Sequence, residues 1–313
     1  MATLRVLACL ALAMAAGNAF SLPAWFTQAF AGDVPCRHDP PKALLDAVKT
    51  GSTSRVTSLL KGSCLRTDER ALASAAKIAS RDGFDHIIDV LFEHGADFTG
   101  CLHLAAANGH EYVVRALLSA GAVPVDVLHD GVTALYLAAR GSHILCMHEL
   151  IGSGADVNSL STPARRTPMH AAASRGRMAS TLTLLDYGAD ADPADAGGRT
   201  PIHLAAEKGH VFVVDILYRA NADLDRGDGN GDTPLHLAAA NGRLDVVHAC
   251  VARHADVNRA NRHGETALIR AAAHGHVDVI DVLLRAGARD RQLCAQTAAQ
   301  HHRDDALAAC RRR

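Results

Sequence analysis

The chain has 313 residues, of which 32 are Lys or Arg and 33 are Asp or Glu, so its formal net charge is -1 at pH 7. This balance leaves no overall field that would attract nucleic acid or an anionic membrane, which excludes functions that depend on one. Aromatic residues are only 4% of the chain, so any buried core must be built from Leu, Val, Ile and Ala.

Residues 1–19 have the pattern of a secretory signal peptide or the first part of an organelle leader. One positive charge precedes an uninterrupted apolar run over residues 6–16, and Gly17 and Ala19 are small residues at the positions that precede a cleavage site. The run is shorter than the roughly 20 apolar residues of a membrane span. We therefore expect a protein of the secretory route, secreted or lumenal.

The same segment leaves three alternative locations open. Residues 6–32 carry no charge, so one alternative is a membrane anchor that is not cleaved. Phe20 would directly follow the cleavage site, which resembles the two-part leader of plastid proteins in algae with complex plastids. A cytoplasmic location is the third alternative. Residues 20–40 are then a linker or transit segment, whose prolines exclude a long helix.

A four-residue phrase recurs at a nearly fixed interval along the rest of the chain. Thr-Pro-apolar-His begins at Thr167, Thr200 and Thr233, and variants of the phrase begin at Thr133 and Thr266. The first interval is 34 residues and the next three are 33 residues each. A period of this length indicates a row of small units, none of which can bury a core alone.

Each unit predicts two helices and an extended finger. In the unit that begins at Thr233, the Thr hydroxyl suits the N-cap of the first helix, Pro234 suits its first position, and Gly242 suits its end. Val246 and Cys250 then recur at helical spacing in a second, amphipathic helix. Stacked side by side, such units form a one-dimensional solenoid with a concave and a convex face.

At these residues the chain resembles the ankyrin repeat family. The matching motifs are Thr-Pro-Leu-His-x-Ala, Gly-His, a Val-Val or Val-Ile pair, and Gly-Ala-Asp-Val-Asn at residues 154–158. The resemblance implies an all-α ankyrin-repeat solenoid of stacked helix-turn-helix units with extended β-hairpin fingers. It covers residues 41–290, with about eight repeats of which the first two are irregular, and implies a capping half-repeat at residues 291–313.

The resemblance also implies structural roles for the repeated Thr and His. In the family these side chains brace the turn through hydrogen bonds, and we assign that role to the following pairs: Thr167 with His170, Thr200 with His203, and Thr233 with His236. Tyr136 and Ile269 stand in place of the His in two other units, which leaves those units without the histidine of the brace.

No catalytic, cofactor or metal site is predicted. Repeat geometry accounts for the histidines of the phrase. His274 and His276 are close together, but no nearby Cys or carboxylate pair completes a zinc site. No nucleophile elbow, phosphate loop or H-E-x-x-H motif occurs. We therefore expect no enzymatic activity, no cofactor and no small-molecule substrate.

The eight cysteines are scattered, without a C-x-x-C pair. The simplest interpretation is that they are small buried hydrophobic residues. Cys294 and Cys310 are the pair to test first for a disulfide, because a helical hairpin could bring them together.

The function expected from this architecture is protein binding. In the family, partners dock on the finger tips and on exposed positions near the end of the first helix. At these positions three successive units carry basic residues and the next carries acidic residues, and the predicted contacts are Arg140, Arg165, Arg166, Arg175, Arg199, Lys208, Asp228 and Asp232. We expect a monomeric, non-catalytic scaffold or adaptor that binds another protein with an acidic segment on its concave face and finger tips.

Two alternatives to this function remain open on the sequence. The charged face could simply be solvated, with no partner. The chain could instead be a substrate-recruiting or regulatory subunit of an enzyme complex.

Overall fold

The computed structural model describes residues 39–61 and 68–312. The predicted leader at residues 1–19 and nearly all of the predicted linker at residues 20–40 lie outside the described residues. In the described part of the chain there are 18 α-helices, and none of them combines the length and the apolar character that crossing a bilayer requires.

The helices follow one another as consecutive pairs, which we number as units 1 to 9. Each pair consists of a first and a second helix joined by a tight turn. In chain order the helices are α1 Pro40–Lys49, α2 Thr53–Lys61, α3 Glu69–Asp82, α4 Asp85–Glu93, α5 Cys101–Asn108, α6 Glu111–Ser119, α7 Ala134–Gly141, α8 Ile144–Gly152, α9 Pro168–Ser174, α10 Met178–Asp186, α11 Pro201–Lys208, α12 Val211–Arg219, α13 Pro234–Ala240, α14 Leu244–Ala252, α15 Ala267–His274, α16 Val277–Arg285, α17 Arg291–Gln300 and α18 Asp304–Arg311.

Local sequence explains where the first helices begin and end. At the start of α11, Thr200 is the N-cap in an extended conformation and Pro201 occupies the first turn, where no N–H is needed. Gly209 ends the helix with φ 84°, in the left-handed region that glycine adopts without steric strain. Pro40, the last residue of the predicted linker, instead begins α1 together with Pro41, behind an Asp39 cap.

The second unit, one of the two expected to be irregular, has a long first helix and a shortened finger. Helix α3 has 14 residues, whereas α5 and α7 have 8 residues each. Between α4 and α5 only a short turn ending at Gly100 replaces the finger. In the described residues, unit 2 is therefore followed by a short turn and not by a long finger.

The helices form two parallel rows, because first helices stack on first helices and second helices on second helices. Alanine pairs such as Ala105–Ala106 and Ala205–Ala206 are buried in the first row, whereas Val and Leu, such as Val213 and Leu217, are buried in the second row. Because smaller side chains allow closer approach, we expect the stack to curve toward the first helices, which then line its concave side. One continuous hydrophobic cluster runs from Leu44 to Cys310. The all-α solenoid of stacked helix pairs is confirmed.

The fingers are linked to one another by single backbone hydrogen bonds. The amide of Ala196 donates to the Ala164 carbonyl at 2.9 Å, and the amide of Gly229 donates to the Gly197 carbonyl at 2.7 Å. In the described residues the fingers contain isolated antiparallel bridges, such as the one between Ala260 and Thr266, and not extended strands. The finger row is therefore held by links between units as well as by the turns within them.

A disulfide joins the two helices of the last unit. Cys294 in α17 and Cys310 in α18 are bonded, with their Cα atoms 5.8 Å apart. The free thiols of Cys101, Cys146 and Cys250 are buried, as expected of cysteines that act as small hydrophobic residues. Cys294 and Cys310 are the pair that the sequence singled out, and they close the end of the solenoid covalently.

Candidate functional site

The histidine of the repeated phrase is buried and hydrogen-bonded at both ring nitrogens. In unit 6, the amide of Thr200 donates to Nδ1 of His203 at 3.2 Å, and Nε2 of His203 lies 3.1 Å from the Asp232 carbonyl oxygen. Because Nδ1 accepts from an amide, Nε2 must carry the proton and donate it. The ring therefore joins the first helix of one unit to the finger of the next.

The other two Thr–His pairs have the same geometry. The Thr167 amide lies 3.1 Å from Nδ1 of His170, and the Thr233 amide lies 3.2 Å from Nδ1 of His236. Burial lowers the pKa of His170, His203 and His236 below the ordinary value of 6.5. These rings are consequently neutral near pH 7 and serve to brace the fold, not to transfer protons.

The two units without this histidine differ in whether the threonine hydroxyl has a hydrogen-bond partner. In unit 4, the Thr133 hydroxyl lies 3.2 Å from the Ser159 hydroxyl. In unit 8, Ile269 offers no polar atom, and the buried Thr266 hydroxyl has no hydrogen-bond partner in the described residues. The loss of the histidine thus has a visible structural consequence in one of the two units.

A second set of links between units was not predicted. In units 3, 4, 5, 7 and 8, the residue before the second helix donates a side-chain N–H to a backbone carbonyl near the end of the preceding unit's first helix. Examples are His143 Nε2 to the Ala107 oxygen at 3.0 Å and Arg177 Nε to the Arg140 oxygen at 3.2 Å. His or Arg recurs at residues 110, 143, 177, 210, 243 and 276, and this recurrence is the signal in the sequence from which the links could have been found.

Three of the predicted basic contacts form ion pairs with carboxylates of the same chain. Arg166 Nε lies 3.0 Å from Asp195, Lys208 lies 2.9 Å from Glu207, and Arg199 bonds the same Glu207 carboxylate. Burial pushes the pKa of Asp195 upward, but the Arg166 bond and two backbone amides outweigh it, so the pKa is lowered. Arg166, Arg199 and Lys208 are therefore already engaged with carboxylates of the same chain.

The two predicted acidic contacts are buried. Asp228 is 8% exposed and Asp232 is 5% exposed. The Asp228 carboxylate accepts the amides of Asn230 and Asp232 at 2.8 and 3.0 Å, and Asp232 accepts the side-chain amide of Asn261 at 2.7 Å. These carboxylates hold the finger tips through hydrogen bonds within the chain, so they are not exposed contacts for a partner.

The remaining predicted contacts, Arg140, Arg165 and Arg175, are exposed. None of the three makes an ion pair in the part of the chain that the structure describes. Arg165 lies at a finger tip with φ 53°. Arg140 and Arg175 line one small cavity on the concave side. Arg199, Lys208 and Asp228 form a separate group, because Arg199 and Lys208 share Glu207 and Arg199 also pairs with Asp228.

The buried thiols have no catalytic character. Burial raises the pKa of Cys146 to about 11 and that of Cys250 to about 12. A cysteine acts as a nucleophile through its thiolate. Both side chains therefore stay protonated at neutral pH and act as core residues.

Comparison with known proteins identifies the repeats. A family model of ankyrin repeats in three copies matches residues 78–161, 143–228 and 220–292. The crystal structure of the human ASB11 ankyrin repeat domain superposes with a TM-score of 0.61 at 30% sequence identity, covering 68% of this chain and 98% of that chain.

Two curated proteins share shorter segments with the chain. Human neurogenic locus notch homolog protein 2 is 37% identical over 134 residues, which are 42% of this chain and 5% of that protein. The E3 ubiquitin-protein ligase KEG of Arabidopsis thaliana is 32% identical over 122 residues, which are 38% of this chain and 8% of the ligase. The chain thus spans less than a tenth of the length of either relative.

Proposed function

We propose, from the premise that the chain belongs to the ankyrin repeat family, that it is a monomeric, non-catalytic scaffold or adaptor for a protein partner with an acidic segment. Ankyrin repeats are generally protein–protein interaction modules. The solenoid supplies what such a module needs: a rigid core shared by all units, and a concave row of helix ends and finger tips that the core leaves exposed.

The observation that carries the proposal is the uneven pairing of arginines along the concave side. Arg166 and Arg199 are paired with carboxylates of the chain, whereas Arg140, Arg165 and Arg175 are exposed without such a partner in the described residues. These three side chains come from units 4 and 5 and the finger between them. The planar guanidinium group holds a carboxylate with two parallel hydrogen bonds, so an acidic segment suits this surface.

Site-specific photocrosslinking in the native cell tests the proposed surface. A photoreactive amino acid replaces one exposed alanine at a time: Ala107 at the end of α5, Ala164 at the finger tip, or Ala179 at the start of α10. Because Ala179 lies on a second helix, it is a matched control on the opposite row. We expect positions 107 and 164 to capture the same protein through a peptide rich in Asp and Glu, and position 179 not to capture it. Capture from position 179 alone, or of a basic peptide, would reject the proposed surface.

A second candidate function is recruitment of a substrate to an enzyme complex. It is favoured by the 122 residues that match part of a protein named as an E3 ubiquitin-protein ligase. The same crosslinking experiment separates the two functions. An adaptor should be crosslinked to the acidic partner alone. A substrate-recruiting subunit should also be crosslinked to catalytic subunits of the enzyme complex, when the photoreactive amino acid is placed at other surface positions.

We propose in addition that the chain enters the secretory route. The apolar run at residues 6–16 supports this, and so does the Cys294–Cys310 disulfide, because disulfides persist mainly in oxidising compartments. Mass spectrometry of the protein isolated from its native cell should find a mature N-terminus at Phe20. A chain that still begins at Met1 or Ala2 would contradict cleavage and favour one of the other locations.

A further inference from the structure

A small cavity lies on the concave side, where the ends of α5 and α7 meet the turn that follows α9. Its volume is about 230 Å³. The cavity is lined by Ala107, Leu137, Arg140, Gly141, Arg175 and Arg177. Pockets for drug-sized ligands usually have volumes of about 300–1,000 Å³, so this cavity has room for one or two protein side chains and not for a large small molecule.

Three of the six lining residues are arginines, and none is acidic. Arg177 is held in place because its Nε donates to the Arg140 carbonyl oxygen at 3.2 Å. In the described residues no carboxylate forms an ion pair with Arg140, Arg175 or Arg177. Three guanidinium charges around one cavity repel each other, and a bound anion would relieve that repulsion.

The lower part of the cavity is apolar. Leu137 of α7 is half-buried, whereas its equivalents Leu204 and Leu237 are 4% and 7% exposed. The neighbouring helix α9 has Ala171 at the matching position, where α11 and α13 have leucine. The smaller side chain leaves room over Leu137, so an occupant can place methylene groups there.

We infer that this cavity, which we call the arginine pocket, receives a glutamate side chain from the acidic segment of the partner. The inference rests on the proposed function and gives it a specific anchor. Glutamate carries a carboxylate on two methylene groups, so the carboxylate meets the guanidinium groups of Arg140, Arg175 and Arg177 while the methylenes contact Leu137. A phosphoryl group would satisfy the same guanidinium groups, but it has no aliphatic stem of its own to cover the leucine.

Fluorescence anisotropy with the full-length protein tests the inference. The probe is a fluorescein-labelled peptide of six glutamates, with a peptide of six glutamines and a glycine-flanked phosphoserine peptide as comparisons. The buffer contains about 0.1 M salt, at which charges more than about 10 Å apart are largely screened. The variants are Arg140→Gln and Arg175→Gln, and the matched control is Arg285→Gln, an exposed arginine on α16. Arg165→Gln reports on the finger tip outside the pocket.

We expect Arg140→Gln and Arg175→Gln each to weaken binding of the glutamate peptide about tenfold, as for the loss of one hydrogen-bonded charge. Arg285→Gln changes the net charge equally and should leave the affinity unchanged. Because each replaced side chain is exposed, we expect the variants to keep the thermal midpoint of the wild-type protein. Circular dichroism measures this midpoint and establishes that the variants are folded.

The other outcomes separate the pocket from the proposed function. If the glutamate peptide binds and only Arg165→Gln weakens it, the pocket is wrong and an acidic partner stands. If the wild-type protein binds glutamate no better than glutamine, both the pocket and the acidic partner are wrong. If only the phosphoserine peptide binds through Arg140 and Arg175, the pocket takes a phosphoryl group and the glutamate assignment is overturned.

Discussion

Replacing His203 with leucine removes the brace between unit 6 and the next finger without changing the surface. His203 is fully buried. Its Nδ1 lies 3.2 Å from the Thr200 amide nitrogen and 2.8 Å from the Thr200 hydroxyl, and its Nε2 lies 3.1 Å from the Asp232 carbonyl oxygen. Leucine is apolar and comparable in size, so the variant isolates the hydrogen bonds from the packing.

The expected cost follows from the groups that lose their partner. His203→Leu leaves the Thr200 amide and the Asp232 carbonyl without the ring, and each buried unpaired group costs about 1–3 kcal/mol. Unit 8 shows that the fold accepts an apolar residue at this position, since Ile269 is buried there, with the Thr266 hydroxyl left unpaired in the described residues. We therefore expect a destabilisation of roughly 3 kcal/mol. Because units are stable only against their neighbours, a loss in unit 6 weakens both sides of the stack.

Urea denaturation followed by circular dichroism at neutral pH measures this effect. The matched control is His263→Leu, because His263 lies exposed on a finger and only its backbone amide takes part in a hydrogen bond, to Asn261. We expect the control to stay within about 0.5 kcal/mol of the wild-type protein. If His203→Leu were as stable as this control, the buried histidine would be filling space and the proposed brace would be refuted.

Three further predictions concern other parts of the stack. The double variant Cys294→Ser with Cys310→Ser should destabilise the last unit by about 3 kcal/mol, since 16 residues separate the bonded cysteines. Hydrogen exchange of the backbone amides should then rise in α17 and α18, and unchanged exchange would contradict this prediction. Burial depresses the pKa of four histidines: His103, His170, His203 and His236. The contribution of these histidines to stability is therefore complete above about pH 6.5 and falls as the pH drops below that value. A urea midpoint as high at pH 5.5 as at pH 7.5 would argue against this pH dependence. Arg166→Glu should lower the free energy of unfolding by roughly 2 kcal/mol, because it places a second carboxylate beside buried Asp195. Arg165→Glu on the same finger is the control and should leave the urea midpoint unchanged. Equal midpoints for the two variants would show that the Arg166–Asp195 pair is unimportant.

The sequence predicted the features whose causes are local. Thr200, Pro201 and Gly209 specify the start and end of α11 through hydrogen bonds and backbone angles within a few residues of each other. The periodicity of the sequence then extends the prediction from one unit to the whole row, because equivalent residues contact equivalent neighbours in each unit.

The sequence did not predict which charges would remain available. Arg165 and Arg166 are adjacent and identical in type, yet Arg166 Nε lies 3.0 Å from Asp195, 29 residues away, and Arg165 is exposed. Asp228 and Asp232 were assigned to the surface because finger tips are polar, but their carboxylates fold back onto finger amides and the Asn261 side chain. Side-chain direction between adjacent units decides such cases, and one-dimensional spacing does not contain it.

The near-zero net charge of the chain conceals this uneven distribution. Two arginines of the concave side have a carboxylate of the same chain beside them: Arg166 has Asp195, and Arg199 has Glu207 and Asp228. The fields of these charges cancel within a few ångströms. Arg140 and Arg175 lie at the ends of first helices, and no carboxylate lines the cavity that they share. An acidic partner would therefore gain little from long-range attraction. Its selectivity would come from contact with the arginine pocket after encounter, and the position of that pocket between units 4 and 5 would fix where along the solenoid the partner binds.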